Sequence, residues 1–205
     1  MARYRGPRLK VIRRLGALLP GLMRTPADLR RPYPPGQHGP TKRGKLSDYA
    51  LRLREKQKAC FHYGVTEKQM RRYMGQAFRG KGNPGLLLLQ ALESRLDNVV
   101  FRAGFARTVR AARQIVRHGH IEVNGKFVDI PSLRLQPGDT LVPGTKSKLK
   151  EQMAAAWKDP SNIERPSYLE CVEETPQAKV TGAPGRDDVP VRLQEQMIVE
   201  YYSGK

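Results

Sequence analysis

The segment from residue 107 to residue 130 constrains the fold of this chain most, because its hydrophobic periodicity changes partway along. Up to Gly119 the apolar residues recur with helical spacing, and arginines dominate the opposite side of the helical wheel. After Gly119 the apolar residues alternate around Asn124-Gly125, a dipeptide that favours a tight hairpin turn. The pattern predicts a basic amphipathic helix followed by a β-hairpin. The apolar side of the helix comprises Thr108, Ala111, Ala112, Ile115 and Val116, and its polar side comprises Arg110, Arg113, Gln114 and Arg117.

Capping signals predict three helices before this segment. Ser47 or Asp48 can cap the first helix, for which Gly64 is a natural C-terminal stop. The second helix begins at Thr66, and Gln69 three residues later completes a capping-box pattern.

The third helix begins at Asn83-Pro84, which fit the N-cap and first helical positions, and its continuation past Ser94 is left open. Beyond the hairpin we expect two short strands, over residues 133–135 and 140–142, and then a helix over 147–157. Residues 197–202 are expected to form a strand or an extended packing segment.

These elements predict an α+β fold with four regions. Residues 1–46 form a basic, irregular N-terminal extension, and residues 47–93 form a mainly helical subdomain that residues 180–205 approximately complete. Residues 94–160 form a small module of two helices and a short antiparallel sheet. Residues 161–179 are expected to be a connecting segment.

The charge of the chain predicts a polyanionic partner. Among 205 residues there are 38 Lys and Arg against 19 Asp and Glu, a net charge of +19 with a pI of about 10.4. The surplus is concentrated in residues 1–47, whereas residues 161–205 are slightly acidic. Nucleic acid is the commonest partner of such a chain.

Composition and motifs argue against several other classes. The longest apolar run, residues 86–89, is far shorter than the ~18 residues of a membrane span. Two cysteines are too few for a disulfide scaffold, and they predict a reducing compartment. The apolar run after Arg13-Arg14 is interrupted by Pro20-Gly21, so it is not expected to be a signal peptide.

Catalytic, cofactor and metal sites are not expected. Residues 75–81 and 80–85 fit phosphate-loop patterns, but no buried strand precedes them. The pairs Cys60/His62 and His118/His120 supply only two possible metal ligands each. Glu93 and Asp97 lie one helical turn apart and are expected to pair with Arg95, Arg102 or other basic neighbours, or to oppose the local positive field. The sequence therefore predicts no enzyme, no cofactor and no metal.

Three consecutive motifs resemble a known RNA-binding module. It is shared by ribosomal protein S-four, tyrosyl-tRNA synthetases, pseudouridine synthases and a heat-shock protein that rescues stalled large subunits. The motifs are RLDNVVFRAGFA (95–106), RTVRAARQIVRHG (107–119) and HIEVNGKFVDI (120–130). Motifs elsewhere resemble the bacterial or organellar S-four family in particular: MARYRGPRLK (1–10), YPPGQHG (33–39), LSDYALRLREKQK (46–58), YGVTEKQ (63–69) and IVEYYS (198–203).

This resemblance implies a structural constituent of the small ribosomal subunit. The family binds small-subunit rRNA first during assembly, clamps a multi-helix junction in the 5′ domain, and helps shape the region where mRNA enters, with a role in translation accuracy. It implies S-three and S-five as protein neighbours and no membrane partner. The location would be the cytoplasmic ribosome, or the stroma or matrix of an organelle. Many members carry a zinc-binding cysteine cluster near the N-terminus, but residues 1–59 contain no Cys, so a zinc-free form is expected.

Basic side chains, with a few polar and aromatic neighbours, are the candidate rRNA contacts. Arginine can bridge phosphates or stack on bases, and exposed aromatic rings can stack on unpaired bases. Asn124 is expected mainly to form the turn, Tyr49 could equally pack in the core, and the two histidines could be solvated loop residues. The candidates are Arg3, Arg5, Arg8, Lys10, Arg13, Arg14, His38, Lys42, Arg43, Lys45, Tyr49, Arg52, Arg54, Lys56, Lys58, Arg107, Thr108, Arg110, Arg113, Gln114, Arg117, His118, His120 and Asn124.

Two alternatives remain open at this point. An architectural DNA-binding protein would fit the charge and the arginine-rich helix, and a preference for RNA over duplex DNA would discriminate against it. A pseudouridine synthase could carry the same module, and Arg95-Leu96-Asp97 faintly resembles its catalytic motif. That enzyme needs a catalytic domain with a large sheet, which no segment here supplies.

Overall fold

A computed structural model describes residues 4–23, 31–41, 45–145, 147–159, 164–172 and 174–204. The α+β class is confirmed. The helices are α1 (Arg8–Leu15), α2 (Asp48–His62), α3 (Glu67–Arg79), α4 (Pro84–Glu93), α5 (Leu96–Ala103), α6 (Val109–Arg117), α7 (Lys150–Trp157) and α8 (Glu195–Ser203). The strands are β1 (Ile121–Val123), β2 (Lys126–Phe127), β3 (Thr140–Pro143), β4 (Leu169–Val172) and β5 (Gln177–Val180).

The chain divides into two compact units. The first unit comprises residues 1–88 and 191–205, and the second unit comprises residues 89–190, so the division falls within α4. These limits differ from the predicted regions most clearly in residues 161–179. That stretch was predicted to connect other elements, but it contains β4 and most of β5. The prediction is wrong because strand pairing with a distant partner leaves little local signal.

Local capping explains where the helices of the first unit begin. Ser47 Oγ accepts a hydrogen bond from the backbone N of Ala50 at 3.4 Å, as expected for the N-cap of α2. Asn83 Oδ1 accepts from the backbone N of Gly85 at 2.9 Å at the start of α4. Thr66 precedes α3, but its side chain makes no capping hydrogen bond, so the predicted capping box does not form.

The N-terminal extension contains a helix that the sequence reading did not predict. Helix α1 buries Val11, Ile12 and Leu15, which lie on one face, and it packs against α2. Gly16 ends the helix in a left-handed conformation with φ of 63°. The prediction of an irregular extension is therefore wrong for residues 8–15, because a short apolar stripe was hidden among basic residues.

The C-terminal segment is helical rather than extended. Helix α8 packs against α2 and α3, and it buries Ile198, Tyr201 and Tyr202. The prediction of a strand over residues 197–202 is wrong. A short apolar run does not distinguish a strand from a buried helix, and here the tertiary contacts decide the outcome.

The second unit contains one antiparallel sheet in the order β2-β1-β3-β5-β4. Residues 133–135 were predicted to form a strand, but they contribute only an isolated bridge between Arg95 and Arg134. The apolar sides of α5 and α6 share a core with Ile121, Leu141 and Ala178 of the sheet. The third predicted helix does not continue, because α4 ends at Glu93 and α5 starts at Leu96.

Buried charges lie within this core. Arg95 donates from Nε and Nη2 to the two carboxylate oxygens of Asp97, at 3.0 and 2.7 Å, and both side chains are almost inaccessible to solvent. Glu93 accepts hydrogen bonds from Asn98 Nδ2 at 2.6 Å and from Tyr168 Oη at 3.0 Å. The nearest Arg102 nitrogen lies 3.9 Å from Glu93. The predicted pairing of these carboxylates with Arg95 and Arg102 is confirmed.

We expect Asp97→Asn to destabilise the protein by about 3–5 kcal/mol, because it leaves the buried Arg95 guanidinium without a counter-charge. The matched control is Asp129→Asn, which removes the partner of an exposed ion pair with Arg117 and should cost at most about 1 kcal/mol. Urea unfolding at pH 7, followed by the fluorescence of the single tryptophan, Trp157, measures both losses. Equal losses would contradict a structural role for the buried pair.

Candidate nucleic-acid interface

Helix α6 presents its polar side to solvent as predicted. Val109, Ala112 and Val116 are buried against the core of the second unit. Thr108 is the N-cap residue, and its Oγ1 accepts a hydrogen bond from the backbone N of Ala111 at 3.1 Å. This bond gives Thr108 a structural part in starting the helix, and its role as an rRNA contact stays a prediction.

The arginines of α6 differ in how tightly carboxylates hold them. Arg113 Nη1 lies 3.3 Å from Asp97 Oδ2, so the buried carboxylate that binds Arg95 also orients Arg113, whose side chain is 21% exposed. Arg117 Nη1 lies 3.0 Å from Asp129 Oδ2, but these two side chains are 65% and 61% exposed. Exposed ion pairs contribute at most about 1 kcal/mol, so a phosphate can replace Asp129 as the partner of Arg117.

The remaining candidates on and before α6 are placed on the surface or close to it. Arg107 Nη2 lies 2.7 Å from Asp159 Oδ2, and its side chain is partly exposed. Gln114 and His118 are exposed, and Arg110 is half-buried. His120 is also half-buried, and its Nδ1 lies 3.0 Å from Ser147 Oγ, which ties this ring to the fold.

The turn of the β1–β2 hairpin uses the side chain of Asn124 internally. Asn124 has a φ of 51°, the left-handed conformation that an Asn-Gly turn requires. Its Nδ2 donates to Asp139 Oδ1 at 2.8 Å, and its Oδ1 accepts from the backbone N of Thr140 at 2.9 Å. The predicted turn is confirmed, and both polar atoms of the Asn124 amide are engaged within the protein. A contact between Asn124 and rRNA stays a prediction.

In the first unit, the basic residues of α2 are largely neutralised by the protein itself. Arg52 Nε lies 2.9 Å from Glu200 Oε2, and Lys58 Nζ pairs with Glu55 at 2.5 Å. Lys56 Nζ lies 2.8 Å from Glu67 Oε2 and 5.0 Å from the centre of the Tyr201 ring.

The side chain of Lys56 is only 10% exposed, and that of Lys58 is 17% exposed. Both are candidate rRNA contacts from the sequence, and the protein itself covers most of each side chain. The helical wheel of α2 gives no sign that α8 returns from the far end of the chain to pack against it. Arg54 is half-buried.

The Lys56–Glu67 pair is strong enough to shift both protonation equilibria. Burial alone would lower the pKa of Lys56, but the hydrogen bond and charge of Glu67 raise it above its ordinary value. Burial would raise the pKa of Glu67, but Lys56 and then the Tyr202 hydroxyl lower it below its ordinary value. Both groups are therefore charged at neutral pH.

The described part of the N-terminal extension presents exposed cations. Arg13 is the exception, because its Nε donates to the carbonyl oxygens of Arg31 and Tyr33 at 3.0 and 3.1 Å and holds this segment against α1. Tyr49 is 58% exposed, so it lies on the surface rather than in the core. The predicted contacts Arg5, Lys10, Arg14, His38 and Lys45 are exposed, and Arg8 is half-buried. Arg3, Lys42 and Arg43 lie outside the described residues.

Sequence reading missed the outer face of α3. It bears four exposed cations, and none of them forms an ion pair with any carboxylate in the described part of the chain. Their spacing of three, four and seven residues is the signal that would have placed them on one face. We call this surface the α3 cation face: Lys68, Arg71, Arg72 and Arg79.

Metal ligation is not favoured by the side chains that were considered for it. Within the residues that the structure describes, no three His, Cys, Asp or Glu side chains are grouped so as to hold a metal ion. Burial raises the pKa of the Cys60 thiol to about 12, so this thiol is protonated at neutral pH. No helix in the described ranges is long and apolar enough to cross a membrane.

A basic helix followed by a hairpin, on a chain of net charge +19, defines a small nucleic-acid-binding protein of the α+β class. Residues 3–93 match the family described as ribosomal protein S4/S9 N-terminal domain, and residues 94–141 match the S4 domain.

Proteins named small ribosomal subunit protein uS4 are similar to this chain over its whole length. Those of a Cyanothece species and of Synechococcus elongatus are each 49% identical over 205 residues, and that of Methylobacillus flagellatus is 48% identical over 207 residues; in all three cases the match covers 100% of both chains. The chain belongs to the uS4 family of small-subunit ribosomal proteins.

We expect Glu67→Gln to destabilise the first unit at neutral pH and to have no effect in acid. The pKa of Glu67 is lowered by folding, so its contribution is complete above its unfolded pKa of about 4.3 and is lost as the pH falls through the lower folded value. Thermal unfolding of both proteins between pH 3 and pH 8, followed by circular dichroism, measures the difference. The exposed Glu164→Gln is the control and should match wild type throughout. A difference that persists unchanged in acid would contradict the ion pair.

Proposed function

We propose that this chain is a structural component of the small ribosomal subunit and binds its rRNA, without catalysing a reaction. The observation that carries this proposal is the full-length similarity to proteins named small ribosomal subunit protein uS4, at 49% identity. Two arginines of α6, the exposed Arg117 and the partly exposed Arg113, supply the corresponding chemistry. It follows that the protein resides on the ribosome, in the cytoplasm.

Binding through α6 rests on phosphate contacts and on the shape of folded RNA. A guanidinium can bridge two phosphate oxygens, and a helix with a hairpin can follow the backbone and the 2′-hydroxyls of an RNA minor groove. Arg113 meets the RNA already oriented by Asp97, whereas Arg117 exchanges Asp129 for a phosphate. Each neutralised phosphate releases counterions, so affinity falls steeply with salt.

The finer assignments are also part of the proposal. The protein clamps a multi-helix junction in the 5′ domain during assembly, which is supported by the presence of exposed cations on each unit taken by itself. It lies beside S-three and S-five near the point where mRNA enters, and it affects translation accuracy. The slightly acidic residues 161–205 face basic protein neighbours. An organellar ribosome is the alternative location.

A salt-titrated competition experiment tests the proposed function. We expect the protein to bind small-subunit 5′-domain RNA at least ~10³-fold more tightly than duplex DNA of equal length at physiological salt, the range of specific recognition. Equal affinities with equally steep salt dependence would contradict the proposal and favour an architectural DNA-binding protein.

A matched pair of variants locates the contact within the second unit. Arg117→Gln should weaken RNA binding and reduce the slope of log affinity against log salt by about 1, because one phosphate contact is lost. Lys179→Gln removes the same charge from an exposed position on β5 and should leave both quantities near wild type. If the two variants behave alike, the α6 surface is not the contact.

A further inference from the structure

The α3 cation face surrounds a position without a side chain. Lys68, Arg71, Arg72 and Arg79 lie on one face of α3, and Gly75 lies at the centre of that face. A glycine inside a helix costs about 1 kcal/mol relative to alanine. Packing does not require this one, because a Cβ built on Gly75 meets no atom within 4 Å and the backbone φ is not positive. The missing side chain therefore leaves open space on the outside of the protein.

That space is an open cleft with an aromatic wall. It has a volume of about 330 Å³ and is lined by Arg71, Met74, Gly75, Phe78 and Tyr202. We call it the Gly75 cleft. Phe78 is 43% exposed although it is a large apolar side chain, and it lies one turn from Gly75 along α3. Arg71 lies one turn from Gly75 in the other direction, so a guanidinium and an aromatic ring flank the opening.

We propose that the Gly75 cleft binds an unpaired RNA base, stacked on Phe78, while the α3 cation face holds the phosphates on either side of it. This inference rests on the proposed function, and it adds a contact surface beyond α6 and the N-terminal extension.

Charge complementarity selects RNA as the occupant. The α3 cation face carries four positive charges that no described carboxylate pairs with. The carboxylate beside the cleft, Glu67, is engaged by Lys56 at 2.8 Å and by the Tyr202 hydroxyl at 3.0 Å, so it does not repel phosphates strongly. In single-stranded nucleic acid, each flat base lies between two phosphates. An aromatic side chain flanked by cations can therefore stack on the base and bind the phosphates at the same time.

Gly75 and Phe78 also belong to the phosphate-loop pattern that the sequence contains. Residues 75–81 fit a phosphate-loop pattern, but Gly75 and Phe78 belong to α3 and only residues 80–83 form a loop after it. No strand delivers this segment, so it does not cradle a nucleotide in the manner of a phosphate loop. The glycine serves instead to open the helix surface.

The affinity of the full-length protein for small-subunit 5′-domain RNA tests the proposal. Two variants change the cleft differently: one removes its aromatic wall and the other occupies its space. Phe78→Ala removes the stacking surface, and Gly75→Leu places a side chain in the cleft from a position where a Cβ meets no atom within 4 Å. Each should weaken binding about 5- to 100-fold, the range for loss of one stacked base. Phe78→Ala should leave the salt slope unchanged because the ring carries no charge, whereas Arg72→Gln should reduce it by about 1.

Two control variants and one stability measurement separate loss of stacking from loss of fold. Gly75→Ala adds only a Cβ to open space and should keep wild-type affinity. Leu86→Ala truncates another exposed apolar side chain of the first unit and should also bind normally. Thermal unfolding should show Gly75→Leu to be at least as stable as wild type, since a helix glycine is replaced by a better helix former.

Fluorescence gives a direct readout. Phe78→Trp should retain affinity, and the emission of the introduced indole should be quenched when the RNA binds, whereas the native Trp157 is buried at 5% exposure. One outcome would overturn the base site and leave the proposed function intact. In that outcome the wild type prefers the RNA over duplex DNA, but Phe78→Ala and Gly75→Leu bind the RNA as tightly as the wild type does. If wild type shows no such preference, the proposed function itself fails.

Discussion

The carboxylate of Asp97 is the group on which the second unit depends. It accepts two hydrogen bonds from the buried Arg95 and lies 3.3 Å from a guanidinium nitrogen of Arg113 on the surface. One acidic side chain therefore neutralises a core arginine and orients a surface arginine. Asn98, Glu93 and Tyr168 form a second buried polar group beside it. The chain has twice as many basic as acidic residues. It can nevertheless fold this unit because its buried carboxylates lie next to the buried arginines and neutralise them.

Burial separates the cations that stabilise the fold from the cations that are available to a ligand. Arg95 and Lys56 are buried and paired, so they hold the fold, whereas the α3 cation face and Arg117 are exposed. We propose that phosphates bind the exposed group, because displacing water or a weak surface ion pair costs little. Net charge alone predicts a polyanionic partner, whereas the burial of each side chain determines which cations are accessible to that partner.

Sequence patterns predicted the elements whose signals are local. The wheel of α6, the Asn124-Gly125 turn and the cap at Ser47 are confirmed because each depends on residues close together in the chain. The features that were missed depend on distant partners. Strand β5 pairs with β3, and α8 covers Lys56 of α2, so neither the extra strands nor the burial of that lysine is visible in a local pattern. In the sequence, Gly75 was noticed only as part of a phosphate-loop pattern that lacks a preceding strand. The Gly75 cleft was missed because a sequence motif does not show which side of a helix faces solvent.

We infer that the second unit folds around its buried ion pairs and binds RNA through a preformed surface. Amide hydrogen exchange of the full-length protein, with and without small-subunit 5′-domain RNA, tests it most directly, because exchange reports local opening residue by residue. We expect the amides of α5, α6 and β1 to be protected already in the free protein, and we expect RNA to add little protection within them. Amides in α5 and α6 that exchange freely until RNA is added would show that RNA, and not Asp97, organises this unit.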